Sequence, residues 1–163
     1  MYLLLLRHGQ AGRKSHSPGD SKRSLTEAGM QEVKDLAQGL KSLEIQLDGV
    51  FTSPLLRAKQ TADIVSTSLK YSGKIQELDS LKPEGNRLEF YSLLSKVKQD
   101  STVLVVGHEP YLSEMISEAI SQPGCRINLK KAGLAKIKVI STIPKVKGDL
   151  RWLLTPKLLK KIV

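Results

Sequence analysis

The sequence predicts an α/β fold, a mostly parallel β-sheet covered by helices on both faces, and three observations carry that prediction. Two runs, YLLLL at 2–6 and VLVVG at 103–107, are continuously apolar, the pattern of strands buried on both faces rather than on one. Segments of helical period lie between the apolar runs, so strand and helix alternate along the chain. Both runs break off at histidine and glycine: Arg7, His8 and Gly9 follow the first, and Gly107 leads into His108 in the second.

Taken in order, YLLLL is the first strand, and a polar loop rich in Gly, Ser and Lys follows over residues 10–23. SLTEAGMQEVKDLAQGLKSL reads as an amphipathic helix. Thr26 is its N-cap, Leu25 and Met30 stand at hydrophobic-staple spacing, and Met30, Val33, Leu36, Ala37 and Leu40 recur at helical period. DGVFTS is a short strand ending at Ser53, and SPLLRAKQTADIVSTSL starts a helix with Ser53 as cap and Pro54 at the first helical position. KIQELD is a further short strand, RLEFYSLLSKVK a helix, STVLVVGHEP the second buried strand, and YLSEMISEAI a helix. AGLAKIKVIS alternates as a later strand should, and DLRWLLTP is the last strand, stopped by Pro156.

A chain of 163 residues suffices for a single domain with one continuous core, spanning 1–163. With 40% hydrophobic and 26% charged residues it has the composition of a soluble globular protein. No run approaches the roughly 18 apolar residues that cross a bilayer, and the leucine run lacks the preceding basic region of a signal peptide. The expected location is the cytoplasm, with no membrane partner. Cys125, the single cysteine, can form no internal disulfide and fits no zinc spacing. The net charge of +10 is either a field that attracts acidic partners or lysines scattered over a solvated surface. Aromatics are only 4% of the chain and no RNA-recognition motif is present, so no nucleic-acid partner is expected.

In a parallel sheet, ligands bind beyond the carboxyl ends of the strands, and Arg7, His8 and His108 all fall there. Either histidine alone is more readily a hydrogen-bonded structural residue. Two in matching contexts form a constellation, provided their strands are neighbours. Arg57 stands in the first turn of its helix, where the macrodipole disfavours a cation; a shared anionic ligand explains it, and the alternative is an arginine lying along the helix surface. Arg7, buried beside a strand end, calls for a carboxylate or phosphate partner. Two guanidiniums and two imidazoles suit a phosphoryl group, with histidine as nucleophile and Gly9 leaving room for phosphate to approach His8. There is no Walker-type loop, HExxH or aspartate cluster, so neither metal nor cofactor is expected. The residues alone leave open which histidine is the nucleophile.

LLRHGQA, SLTEAG, SPLLRAKQTA and VVGHEP, in this order, resemble the histidine phosphatase superfamily, which includes cofactor-dependent phosphoglycerate mutase. The short length and the ending GDLRWLLTP resemble its SixA-type phosphohistidine phosphatases, over residues 2 to about 156. The resemblance implies a phosphoglycerate mutase-like three-layer α/β/α fold without a large cap domain. It also implies that His8 becomes phosphorylated, that Arg7 and Arg57 hold the phosphoryl oxygens, and that His108 completes the pocket. The implied substrate is a phosphorylated protein, a histidine-phosphotransfer domain, and the implied state is a monomer. The alternatives are a small-molecule phosphomonoesterase of the same superfamily and a non-catalytic phosphate-binding adaptor. Ester-cleaving members carry an acidic proton donor. Glu84 in LKPEGN is the nearest candidate and reads as an exposed turn residue; Glu109 could serve as donor or as a helix-terminal cap. An imidazole leaving group needs less help from an acid than an alkoxide, so the lack of an obvious donor fits a phosphoramidate bond. With residues 10–23 as the available lid, the site should be shallow and open.

Overall fold

The computed structural model describes residues 1–12, 20–122 and 124–161. Its elements are β1 (Tyr2–Arg7), α1 (Glu27–Ser42), β2 (Gly49–Thr52), α2 (Leu56–Ser68), β3 (Ile75–Glu77), α3 (Arg87–Leu94), β4 (Thr102–Gly107), α4 (Tyr111–Ala119), β5 (Leu134–Ser141), β6 (Lys147–Leu154) and α5 (Pro156–Leu159). The strands form one six-stranded sheet in the order β3-β2-β4-β1-β5-β6. β1, β2, β3 and β4 pair in parallel, β5 runs antiparallel to both β1 and β6, and among the described residues only β5 opposes the rest. No described helix is long and apolar enough to cross a membrane.

The continuous apolar runs are explained by what lies on each face. Side chains alternate across a strand, and here Leu3, Leu5, Val103 and Val105 pack on one side with Phe90, Tyr91 and Leu94 of α3 and Leu112, Met115 and Ile116 of α4. Leu4, Leu6, Leu104 and Val106 pack on the other with Val33, Leu36 and Leu40 of α1, Ala58, Ala62 and Val65 of α2, and Leu159 of α5. Both faces are covered, as the runs require. α1 follows β1 onto one face while α4 follows β4 onto the opposite face, so the connections leaving the carboxyl ends of the adjacent strands β1 and β4 part to opposite sides of the sheet. That divergence is the topological switch point where open α/β sheets bind ligands.

The helix termini follow local chemistry with one exception. Thr26 caps α1, its Oγ1 accepting from Gly29 N at 3.0 Å, and Leu25 and Met30 both pack into the cluster beneath it. The expected Ser53–Pro54 start of α2 is corrected: the helix begins at Leu56, with Leu55 at the cap and no side-chain cap bond. Ser53 Oγ accepts only a long 3.4 Å bond from Leu55 N and is committed elsewhere, as described below. Pro156 ends the last strand as expected and at once opens the short α5.

The segment after β1 is clamped onto the start of α1. Thr26 N donates to Gln10 O at 2.9 Å. A Cβ on Gly29 would stand 2.1 Å from that same Gln10 oxygen, and one on Gly9 would stand 2.8 Å from Val33 Cγ2 and 2.9 Å from Gly29 O. The missing side chain of Gly9 thus serves the approach to α1. Gly29→Ala should lower stability by about 1–3 kcal/mol, the scale of overpacking. Gly12→Ala, where an added Cβ meets nothing within 4 Å, should stay within about 0.5 kcal/mol of wild type. Urea unfolding of the two variants checks this, and equal stabilities would contradict the clamp.

Candidate active site

β1 and β4 are in register with Arg7 opposite Gly107, and His8 N donates to Gly107 O at 3.1 Å. His8 and His108 therefore leave neighbouring strands side by side, their ring centroids 5.0 Å apart and their planes tilted by 56°. α2 adds Arg57, which is 3% exposed and donates from Nε to His8 Nε2 at 3.3 Å. Arg7 comes from the end of β1, half-buried, with Nη1 donating to Leu129 O at 2.9 Å. These four side chains line one cleft of about 320 Å³, together with Asp20, Arg23, Glu109 and Lys131.

The tautomer of His8 follows from its partners. Nδ1 lies 2.7 Å from Gly9 O, and a carbonyl oxygen can only accept, so Nδ1 carries the proton. Nε2 is left with its lone pair, accepting from Arg57 in the cleft. Burial pushes the His8 pKa down to about 4, and Arg57, Arg7 and Arg23 reinforce it against the opposing bond to Gly9. Burial likewise takes His108 down to about 3, with His8 and Arg57 adding to it. Both imidazoles are neutral near pH 7. A neutral imidazole with an aimed lone pair among guanidiniums has the chemistry that a nucleophile beside an oxyanion clamp requires.

Several residues of the site escaped the sequence reading. Ser53 Oγ is 2.8 Å from His108 Nε2, so the serine read as a helix cap instead holds the second histidine. Thr61, one turn beyond Arg57, donates to Arg57 O at 2.7 Å and accepts from Gly9 N at 3.2 Å, fastening α2 to the segment that carries His8. Its spacing of four residues from Arg57 was the available signal. Asp20, in a 3₁₀ turn spanning Asp20–Lys22, accepts from Arg57 Nη2 at 3.2 Å and from Arg23 Nη2 at 2.9 Å. Nothing in the polar loop marked that pair. The remainder of the expected lid, residues 13–19, lies outside the described residues.

The two candidate acids are placed differently. Glu84 is exposed in its turn, as its neighbours Pro83 and Gly85 suggested. Glu109 lines the cleft but accepts from Ser113 N at 3.1 Å in the first turn of α4. Of the carboxylate or phosphate partner expected for Arg7, no carboxylate pairs with it among the described residues, where it donates to a carbonyl; Arg7 Nε, Arg23 Nε and His108 Nδ1 are buried without a partner among them. Unsatisfied polar atoms on three lining residues fit a site that receives an oxygen-rich anion. Among the described residues no cluster of His, Cys, Asp and Glu could hold a metal ion.

Residues 3–89 match the family described as "Histidine phosphatase superfamily (branch 1)". The chain is 31% identical over 120 residues to the phosphohistidine phosphatase SixA of Escherichia coli K12, covering 72% of this chain and 73% of that protein. It is 37% identical over 142 residues to an uncharacterized protein of Picosynechococcus, covering 85% of each. In structure it is similar to the protein histidine phosphatase SixA complexed with tungstate, with a TM-score of 0.85, 26% identity, and coverage of 98% of this chain and 99% of that one.

The depressed imidazole pKa values give a direct test. On NMR titration with His8→Ala and His108→Ala for assignment, the ring signals of His8 and His108 should hold still from pH 7 to about 5.5, where an ordinary histidine titrates. A midpoint near 6.5 for either would contradict the neutral site. The same shifts set a sign for stability. Between about 4 and 6.5 the unfolded chain binds protons that the folded site refuses, so stability falls as the pH drops through that window.

Proposed function

The chain belongs to the histidine phosphatase superfamily, and from that premise we propose that it hydrolyses phosphohistidine on a partner protein through a phosphoryl intermediate on His8. The observation that carries the reading is the fixed tautomer of His8, with Nδ1–H on Gly9 O and the Nε2 lone pair beside Arg57. His8 Nε2 attacks phosphorus and the P–N bond to the substrate imidazole breaks, its electron pair leaving with that nitrogen, which takes up a proton. Water then attacks the phosphorus on His8, releasing phosphate and restoring the imidazole. Because Arg57 already lies 3.3 Å from Nε2, its guanidinium is within reach of oxygens on a phosphoryl group bonded there. Arg7 and His108, which line the same cleft, are assigned the remaining oxygens.

The choice of a phosphoramidate over an ester rests on how the carboxylates are engaged. Of the two that line the cleft, Glu109 caps the first turn of α4 and Asp20 bridges Arg23 and Arg57. Neither stands as a free acid beside the nucleophile, and a leaving imidazole makes the weaker demand for one. Similarity to the phosphohistidine phosphatase of Escherichia coli supports the same choice. The positive field of a chain with net charge +10 favours encounter with an acidic phosphoprotein.

His8→Ala should abolish turnover and the acid-labile phosphoenzyme together, since the covalent route itself is removed; appreciable residual activity would reassign the nucleophile. Arg57→Ala should reduce kcat by about 10²- to 10³-fold, as removal of one preorganised donor does elsewhere, with the fold retained by circular dichroism. Comparison of a phosphohistidine protein and phosphoramidate with p-nitrophenyl phosphate and sugar phosphates decides the substrate class. Strong preference for the esters would overturn the phosphohistidine reading.

A further inference from the structure

Beside the catalytic cleft lies a second depression of about 490 Å³, and the two share Arg7 and Lys131. Besides Arg7 at the end of β1 and Gln10 beyond it, its walls come from three parts of the chain. The turn at residues 129–133 contributes Lys130 and Lys131, the start of α5 contributes Pro156 and Lys157, and α1 contributes Glu32. Four cationic side chains thus line it against one carboxylate. Lys130, Lys131 and Lys157 are exposed, and no ion pair engages them among the described residues. By contrast Lys59, Lys82 and Lys160 each pair with an acidic neighbour.

The placement of these lysines is built into the site. Arg7 N donates to Gly133 O at 3.0 Å and Ala132 N to His8 O at 3.2 Å, so the turn is tied to both sides of the catalytic pair. Arg7 Nη1 holds Leu129 O at its other end, and Ala132 takes a positive φ of 50° to close it. α5 is anchored by Leu159, which is fully buried and packs against Gly39 of α1. A phosphoryl group filling the cleft therefore sits at one end of a fixed basic strip. Solvated cations without partners steer an anionic partner while ionic strength is low, over a Debye length of about 10 Å at 0.1 M.

We infer that this groove docks an acidic segment of the substrate protein flanking its phosphorylated histidine; the inference rests on the protein-substrate reading above. A small phosphate compound occupies the cleft alone and gains nothing from the strip, whereas a protein substrate spans both. Lys130 and Lys157, which lie outside the cleft, set the affinity for the partner and leave the chemistry unchanged.

The test compares Lys130→Glu/Lys157→Glu with Lys96→Glu/Lys98→Glu, an equal charge change in the connection between α3 and β4, at the opposite end of the sheet. The two substrates are a histidine-phosphotransfer domain phosphorylated on its histidine and phosphoramidate. The groove variant should raise KM for the phosphoprotein by about tenfold or more at low salt, with kcat and phosphoramidate turnover unchanged, and the remote pair should change it by less than about twofold. Equal effects of the two pairs would assign the attraction to overall charge and overturn the groove. A groove variant that matches wild type on both substrates would overturn the groove alone. Wild-type protein that cleaves phosphoramidate but leaves the phosphoprotein intact would overturn the protein-substrate reading and the groove with it.

Discussion

Everything at the site depends on one pairing, the parallel register that sets Arg7 of β1 opposite Gly107 of β4. Because each strand continues one residue further into a histidine, that register brings two imidazoles to a 5.0 Å separation without any long-range search by the side chains. A one-residue slip would take Arg7 out of register with Gly107 and turn Arg7 and His8 to the opposite faces of the sheet. Eight buried side chains, Leu3 to Leu6 and Val103 to Val106, hold the two strands against slipping. The core and the geometry of the candidate site are thus specified by the same interaction. Helices leaving the two strands on opposite faces then open the cleft between them.

Electrostatics at the cleft follow from burial and from the arginines together. A buried imidazole surrounded by guanidiniums resists a further positive charge, which keeps His8 and His108 neutral and leaves Nε2 of His8 available. Arg57 feels the same burial, which lowers its pKa, while the Asp20 carboxylate beside it acts in the opposite sense. In the reaction proposed above, a phosphoryl dianion reaching His8 competes with Asp20 for Arg57. The exchange is of one anionic partner for another, so the guanidinium stays compensated throughout.

The supporting residues show why function cannot be assigned by local grammar alone. Ser53 before Pro54 has every feature of a helix start, yet α2 begins at Leu56 and the serine hydroxyl bonds His108 Nε2 at 2.8 Å. Its partner is 55 residues away in the chain and adjacent only because β2 pairs with β4. Gly9 is a second case. Its backbone serves His8, through the carbonyl that fixes the tautomer, while its missing Cβ serves the contact with Val33 and Gly29. Thr61 shows the reverse, since a helical spacing of four from Arg57 already placed it on the arginine's face.

The sequence by itself determined the alternating α/β order, the buried character of β1 and β4, the Thr26 cap, and the placement of Arg7, His8 and His108 at strand ends and of Arg57 in the first turn of its helix. These are local properties, written in apolar runs, helical period and turn chemistry within windows of about 18 residues or fewer. Tertiary structure alone decided that β1 and β4 are neighbours, that Arg57 reaches Nε2 of His8, and that Ser53, Asp20 and Arg23 join the site. It alone decided also that the turn at residues 129–133 and α5 meet beside Arg7 to form a basic groove. Each of these is a contact between segments far apart in the chain, set by strand order and by which sheet face each helix covers, and no local pattern of residue types encodes that choice.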